Sequence, residues 1–183
     1  MKRDTYRVAL GGLVIALAVA VMFLGSIFPF TTVAVPAIAS LTVLYFAIEY
    51  KKLAATFVYI AISILSLLFI PEKEAALLFV FFFGHYPILK SIFEMMRSKL
   101  FGWILKFAVF DSAIILLYWL ITKILVIEAV RQEFAGYSTT WLAALLLLGN
   151  ITFLVYDIAL TRLISLYIYR FRPMLTRKFR RHG

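Results

Sequence analysis

The fold is decided by apolar runs such as VALGGLVIALAVAVMFLGSIF, which extends from Val8 to Phe28 without a charged residue. A helix of this length can cross a hydrocarbon core roughly 30 Å thick. Similar runs recur along nearly the whole chain, which is 64% apolar and 15% charged. A soluble domain is roughly half apolar and a quarter charged. A soluble fold of 183 residues could not bury so much apolar surface, so a lipid bilayer is the expected solvent.

These apolar runs predict an all-α membrane protein, folded as a compact bundle of six transmembrane helices. Helices are favoured over the strands of a barrel because the runs are long and continuous, and because backbone polar groups in lipid must be satisfied internally. Pro29 and Pro71 are expected to end the first and third spans. The predicted spans are Val8–Phe28, Thr32–Ile48, Leu53–Ile70, Ala75–Leu89, Trp103–Ile127 and Thr140–Tyr167.

The lysines and arginines are distributed unevenly between the two sides of this bundle. Only Lys73, Lys123 and Arg131, of 19 in all, lie on one side. Because cytoplasmic loops carry the excess of basic residues, both termini are predicted to lie in the cytoplasm of a bacterial or archaeal cell. The chain then consists of a multi-pass domain in the cytoplasmic membrane, residues 1–169, and a basic cytoplasmic tail, residues 170–183. The tail is expected to lie against anionic lipid rather than nucleic acid.

The segment Ser91–Leu100 mixes apolar side chains with Glu94, Arg97 and Lys99. This composition suits a short amphipathic helix at the inner membrane interface. A simple cytoplasmic connector is the alternative.

Small residues recur every four positions in the first span, at Gly12, Ala16 and Ala20. They form one stripe on a helix, along which another backbone can approach closely. The stripe is interpreted either as packing within the same bundle or as a docking face for a separate membrane subunit.

Several polar side chains fall within predicted spans, and a charged group near the centre of a membrane helix costs about 2.5–3.5 kcal/mol. His85, Asp111 and Asp157 are therefore expected to face protein or water, close to Lys106 and Arg162. The first three residues and Arg162 form a predicted intramembrane polar network, which either fixes helix packing or provides a path for a solute or proton. Asn150 lies seven positions before Asp157 and shares its helix face.

The fourth span is interrupted by the sequence Gly84-His85-Tyr86-Pro87. Because Pro87 removes a helical hydrogen bond, a kink or local opening is expected here. Broken helices often mark binding regions in transporters, although a kink at the exit from the membrane explains the same residues.

Aromatic residues cluster toward the outer ends of the last two spans, at Tyr118, Trp119, Tyr137 and Trp141. An interfacial aromatic belt would place them there. Together with Lys123 and other polar neighbours, they could instead line an outward pocket for a small organic solute.

Motifs typical of enzymes are missing from this sequence. There is no cysteine, no paired histidine–carboxylate spacing, no Walker loop and no dinucleotide-binding glycine fingerprint. The chain is therefore predicted not to be an enzyme, to hold no metal or cofactor and to contain no ATP motor of its own. An enzyme acting on lipids or isoprenoids is disfavoured because no aspartate-rich diphosphate motif occurs.

In organisation, the chain resembles the substrate-binding S components of energy-coupling factor (ECF) vitamin transporters. The resemblance consists of a similar length, six short spans, inside termini and an alanine pair spaced by four in the first helix. That pair is here Ala16 and Ala20, extended upstream by Gly12. The resemblance implies that this stripe meets a membrane-embedded coupling subunit. It also implies a ligand pocket built from the last three spans and the first extracellular loop, here Pro29–Thr32.

The sequence thus predicts a membrane subunit that binds a small solute, such as a vitamin or its precursor, and depends on separate coupling and ATPase subunits. The alternative is a non-transporting membrane scaffold similar to the cell-shape protein MreD. The expected partners are the lipid bilayer, the coupling and ATPase subunits and a small-molecule ligand, with no nucleic acid. The candidate ligand-binding residues are Thr31, Thr32, Glu74, Tyr118, Trp119, Lys123, Tyr137, Trp141 and Asn150.

Overall fold

The structure is a computed structural model that describes residues 2–28, 31–124 and 139–173. Within these ranges the chain is almost entirely helical and contains no strand, which confirms the predicted all-α class. The chain divides into two units, residues 1–131 and residues 132–183.

Six helices follow one another in the described residues. Helices α1, α2 and α3 are regular, whereas α4, α5 and α6 each contain a π-helical part, in which hydrogen bonds reach five residues back. The regular helices are α1 (Lys2–Gly25), α2 (Ala34–Glu49) and α3 (Lys51–Phe69). Helix α4 consists of Lys73–Leu78, the π-helical Phe79–Phe83 and Tyr86–Phe93. Helix α5 consists of Lys99–Trp119 and the π-helical Leu120–Ile124, and α6, in the second unit, of Thr139–Leu166 and the π-helical Tyr167–Phe171.

Five of these helices are long and apolar enough to cross a membrane. The ranges that meet both conditions are Thr5–Gly25, Lys51–Phe69, Lys73–Phe93, Lys99–Lys123 and Thr140–Arg170. Helix α2 is also apolar but has only 16 residues. At a rise of 1.5 Å per residue it is about 24 Å long, shorter than a hydrocarbon core of roughly 30 Å. Every predicted span therefore coincides with a helix, and the second falls short of full membrane thickness.

Helix α3 ends just before Pro71, the residue predicted to end this span. Ile70 is extended, with ψ at 123°, because the ring of Pro71 disfavours the helical conformation in the residue before it. The ammonium group of Lys73 then donates hydrogen bonds to the carbonyls of Leu67 and Ile70, at 2.9 and 3.0 Å. These bonds satisfy two of the carbonyls that a helix end leaves without partners.

The end of α1 is closed by a different residue. The hydroxyl of Thr31 donates to the carbonyls of Gly25 and Phe28, at 2.5 and 2.7 Å. Helix α1 ends at Gly25, a few residues before the predicted position. Pro29, the residue predicted to end this span, lies outside the described residues.

The core of the first unit lies between α2 and α4. Helix α2 contacts α1, α3 and α4, and its buried side chains include Val43 and Phe46. The π-helical part of α4 adds the ring of Phe82 to this core. The centre of this ring lies 5.0 Å from the ring centre of Tyr86 and 5.1 Å from that of Phe110 in α5. The shortest apolar helix is thus packed on several sides by the longer helices.

The outer surfaces of the longer helices are apolar. Leu13 of α1, Leu53 and Leu68 of α3 and Ile104 of α5 are all more than half exposed. Soluble monomers seldom expose large continuous apolar surfaces, whereas helices in contact with acyl chains do so along their length. This surface is compatible with lipid contact.

Helices α1 and α2 approach closely at Gly25. An added Cβ there would lie 2.2 Å from Cγ2 of Val35 and 3.1 Å from its Cβ, whereas one at Gly12 would meet nothing within 4 Å. Valine is stiff because it branches at Cβ, so Val35 cannot move aside without shifting the backbone.

We expect Gly25→Ala to lower the free energy of unfolding by about 1–3 kcal/mol through overpacking. The matched variant Gly12→Ala should leave stability unchanged or raise it by up to about 1 kcal/mol, because alanine favours helix. Thermal unfolding in detergent would measure both. Equal effects of the two substitutions would contradict the close contact at Gly25.

Candidate functional site

The interruption of α4 is the first candidate site. The amide of Gly84 donates to the carbonyl of Phe79 at 2.7 Å, which is the five-residue reach of a π-helix. A turn at Gly84 and His85 follows, and the helix resumes with Pro87 in its first turn, where no helical N–H is needed. The predicted interruption is confirmed, and π-helical turns of this kind occur frequently at functional sites.

Helix α3 is bonded to this interruption through Tyr59. Its hydroxyl donates to the carbonyl of Val80 at 2.8 Å. The ring of Tyr59 lies against Gly84, where an added Cβ would come within 2.5 Å of it. Gly84 is thus required for the close approach of the two helices, which places a donor beside the carbonyls of the irregular turn.

His85 belongs to the same cluster. Its imidazole lies edge-on to the ring of Tyr59, with 5.9 Å between the ring centres, and contacts the backbone of Val80. His85 is predicted from the sequence to belong to a network with carboxylates, whereas Tyr59 is not predicted to be part of a site. A signal was present, because Gly84 is the one small residue in an aromatic stretch and indicates a close approach by another side chain.

The other members of the predicted polar network are divided between the two units. Asp111 lies on α5 and is half-buried. Asp157 and Arg162 lie on α6 in the second unit, where Asp157 is buried and Arg162 exposed. The joint network of these residues with His85 stays a prediction.

A second group of ionisable residues, the lysine cluster, consists of Lys90, Glu94 and Lys106. The ammonium groups of Lys90 and Lys106 lie 2.8 and 3.4 Å from the same carboxylate oxygen, Oε1 of Glu94. Both lysines are buried, whereas the Glu94 side chain is 42% exposed. Lys106 also lies over the ring of Trp103, 4.7 Å from its centre. The cluster therefore joins the end of α4 to α5 by charge.

Sequence reasoning missed this cluster, although half of it has a sequence signal. Lys90 and Glu94 are four residues apart on one helix, the spacing at which side chains meet. Lys106 comes from the next helix, and its encounter with Glu94 depends on how α4 and α5 pack.

The packing of α4 against α5 is set by Gly102. An added Cβ at this position would lie 3.0 Å from the carbonyl oxygen of Phe93, at the end of α4. Helix α5 begins at Lys99 after Ser98, whose hydroxyl accepts a hydrogen bond from the amide of Phe101 at 3.4 Å. A separate amphipathic helix over Ser91–Leu100 is therefore wrong: helix α4 continues to Phe93, and a tight turn connects it directly to α5.

The threonines expected to bind a ligand are bonded within the protein. Thr31 donates to backbone carbonyls at the end of α1, as described above. The hydroxyl of Thr32 donates to the carboxylate of Glu72, in the loop between α3 and α4. Glu74, in the first turn of α4, is partly exposed. The bond between Thr32 and Glu72 connects the loop that follows α1 to the loop that follows α3.

The remaining ligand candidates lie near helix ends. Tyr118 and Trp119 of α5 are 41% and 50% exposed, and Lys123 follows in the π-helical part of the same helix. In the second unit, Trp141 is exposed near the start of α6, and the amide group of Asn150 donates to the carbonyl of Leu146 at 2.9 Å. Tyr137 lies outside the described residues. A common ligand pocket stays a prediction.

The small-residue stripe is exposed along its whole length. Gly12, Ala16 and Ala20 all face outward on α1. The buried residues of this helix include Ala18 and Met22, which lie on another face. Within the described residues the stripe thus forms an accessible surface on the first helix.

Comparison with known proteins identifies no relative of this chain. It matches no protein family, no curated protein and no solved structure. Within the three described ranges, no group of three or more metal-ligating side chains could hold a metal ion.

We expect Glu94→Gln to destabilise the protein, because it removes the carboxylate shared by two buried ammonium groups. Breaking a fully buried ion pair costs about 3–5 kcal/mol, and the partial exposure of Glu94 should reduce this to about 1–2 kcal/mol. The thermal unfolding midpoint in detergent would measure the change. Adding Lys90→Met to Glu94→Gln should recover part of the loss, because it removes one of the buried charges. An unchanged midpoint in Glu94→Gln would contradict a stabilising role for the cluster.

Proposed function

We propose that this chain is a multi-pass protein of a bacterial or archaeal cytoplasmic membrane, with six spans and both termini in the cytoplasm. We further propose that it binds a small solute, as the S components of ECF transporters do, and depends on separate coupling and ATPase subunits. The solute would be a vitamin or a vitamin precursor. The observation that carries this proposal is the exposed small-residue stripe on α1, which suits a membrane partner.

The stripe has the properties of a helix-docking surface in lipid. Association of membrane helices relies on close backbone contact, since the hydrophobic effect gives no driving force there. An added Cβ at Gly12 would meet no atom within 4 Å, so a partner helix has unobstructed access to the backbone. The exposed side chains of Leu13 and Leu17 flank the stripe and offer a rim for packing.

Solute binding is supported by the chemistry at the end of α5. Tyr118, Trp119 and Lys123 combine aromatic rings with a cation within a single helix end, and all three are accessible. Rings bury large areas at low entropic cost, and a cation selects for an anionic group such as a carboxylate. A small organic acid with a flat apolar part would suit this combination.

A membrane scaffold similar to MreD is the second candidate function. It is favoured by Thr31 and Thr32, because the hydroxyls that the S-component resemblance assigns to ligand binding are bonded within the protein. A scaffold would use the same exposed stripe to hold other envelope proteins and would need no ligand.

We expect the double substitution Ala16→Leu and Ala20→Leu to reduce recovery of partner subunits at least tenfold, because two leucines would keep a partner backbone away from α1. Tagged protein purified gently from its native membrane would be examined for an associated membrane subunit and ATPases. The matched control is Ala143→Leu with Ala159→Leu, two exposed alanines of α6. Recovery that falls equally in both variants, or in neither, would contradict docking through the stripe.

Solute capture predicts that the purified protein retains a small organic molecule, or that one raises its unfolding temperature. Mass spectrometry of small molecules released from the protein would identify the compound. Trp119→Ala combined with Lys123→Ala should lose it, because the ring and the cation are both removed. Partner association without any retained compound or thermal stabilisation would favour the scaffold.

A further inference from the structure

Positive charge is concentrated where α4 ends and α5 begins. We call residues 90–106 the basic corner, since they contain four basic residues and one acidic residue. The ionisable residues of the corner are Lys90, Glu94, Arg97, Lys99 and Lys106. The segment thus carries a formal charge of +3.

Burial divides these charges into an inner and an outer set. Lys90 and Lys106 are buried, and both ammonium groups lie against Oε1 of Glu94. Arg97 and Lys99 are exposed, and neither forms an ion pair with another described residue. Because the inner lysines already share the only carboxylate of the corner, the outer pair is available to an external anion.

Exposed apolar side chains surround the outer pair. Met95 and Leu100 are 70% and 73% exposed, and they flank Arg97 and Lys99 along the chain. Phe101 and Ile104, in the first turns of α5, are also more than half exposed. A free inorganic anion would pair with the cations only, whereas an anionic lipid would also cover this apolar surface.

Trp103 lies close to both the cationic and the apolar residues of the corner. One face of its ring is covered by the ammonium group of Lys106, and the ring stacks on Phe107 with 5.9 Å between centres. Trp103 is still 37% exposed. Tryptophan prefers the headgroup level of a membrane, where an apolar ring and a polar N–H both find partners.

We propose that the basic corner binds the headgroup of an anionic phospholipid. Arg97 and Lys99 pair with its phosphate, and Met95, Leu100 and Phe101 contact the upper part of its acyl chains. The buried lysine cluster holds the end of α4 against α5 and so keeps this turn in shape. The inference rests on the proposed membrane insertion and is independent of solute capture.

Native mass spectrometry of the full chain in detergent tests the proposal. The protein would be titrated with phosphatidylglycerol and with phosphatidylcholine of the same acyl composition. We expect tighter binding of phosphatidylglycerol, and a loss of about tenfold in its affinity in Arg97→Gln with Lys99→Gln, because two surface charges are removed. Inorganic phosphate should not displace the lipid.

The matched control is Lys51→Gln with Lys52→Gln, which removes the same charge at the start of α3. This variant should keep the preference for phosphatidylglycerol. Equal losses in the two variants would overturn the proposal and leave only general attraction between a basic protein and an anionic lipid. Equal binding of both lipids by the wild-type protein would also overturn the proposal. Binding of polyglutamate through Arg97 and Lys99 without any lipid preference would do the same.

Fluorescence of Trp103 gives a second, local measurement. The chain has three tryptophans, so Trp119→Phe with Trp141→Phe leaves Trp103 as the only indole. In phosphatidylcholine vesicles with a small fraction of brominated phosphatidylglycerol, we expect quenching well above that produced by the same fraction of brominated phosphatidylcholine. Adding Arg97→Gln and Lys99→Gln should abolish the difference. Equal quenching by the two lipids in the starting variant would overturn the proposal, whatever the solute-binding result.

Discussion

The constraint on which this structure depends is the need to satisfy backbone carbonyls in helices whose outer surfaces are apolar. Where a helix is regular, its own amides do this. Where a helix ends or breaks, a polar side chain takes over: Thr31 at the end of α1, Lys73 at the end of α3 and Tyr59 beside the π-helical turn of α4. These three side chains are thus placed where the backbone becomes irregular.

The buried charged groups of the first unit are paired with a carboxylate. Lys90 and Lys106 are buried in a mostly apolar protein, and the ammonium groups of both lie against one oxygen of Glu94. This arrangement ties two helices together and leaves Arg97 and Lys99 as the outward charges of that turn. The buried charges hold α4 against α5, and the exposed charges form a surface suited to an anionic headgroup.

Three candidate functional surfaces are carried by different parts of the first unit. The small-residue stripe lies on α1, the aromatic and cationic candidates lie at the far end of α5, and the basic corner lies between α4 and α5. The three surfaces differ in chemistry. The stripe is apolar and flat, the end of α5 is aromatic with one cation, and the basic corner is cationic. The proposed partner docking, solute binding and lipid binding therefore involve different residues, and each proposal can be tested separately.

The sequence by itself determined the number and approximate limits of the helices, because apolar runs, the end at Pro71 and the interruption before Pro87 are local features. It also identified Gly12, Ala16 and Ala20 as one stripe, since their spacing alone places them on one face. Only the tertiary structure decided that this stripe is exposed, that Tyr59 reaches Val80 and that Lys106 meets Glu94. The physical reason is that helices apolar on nearly every side carry no periodic signal for rotation about their axes, so their contacts depend on the shapes of neighbouring helices.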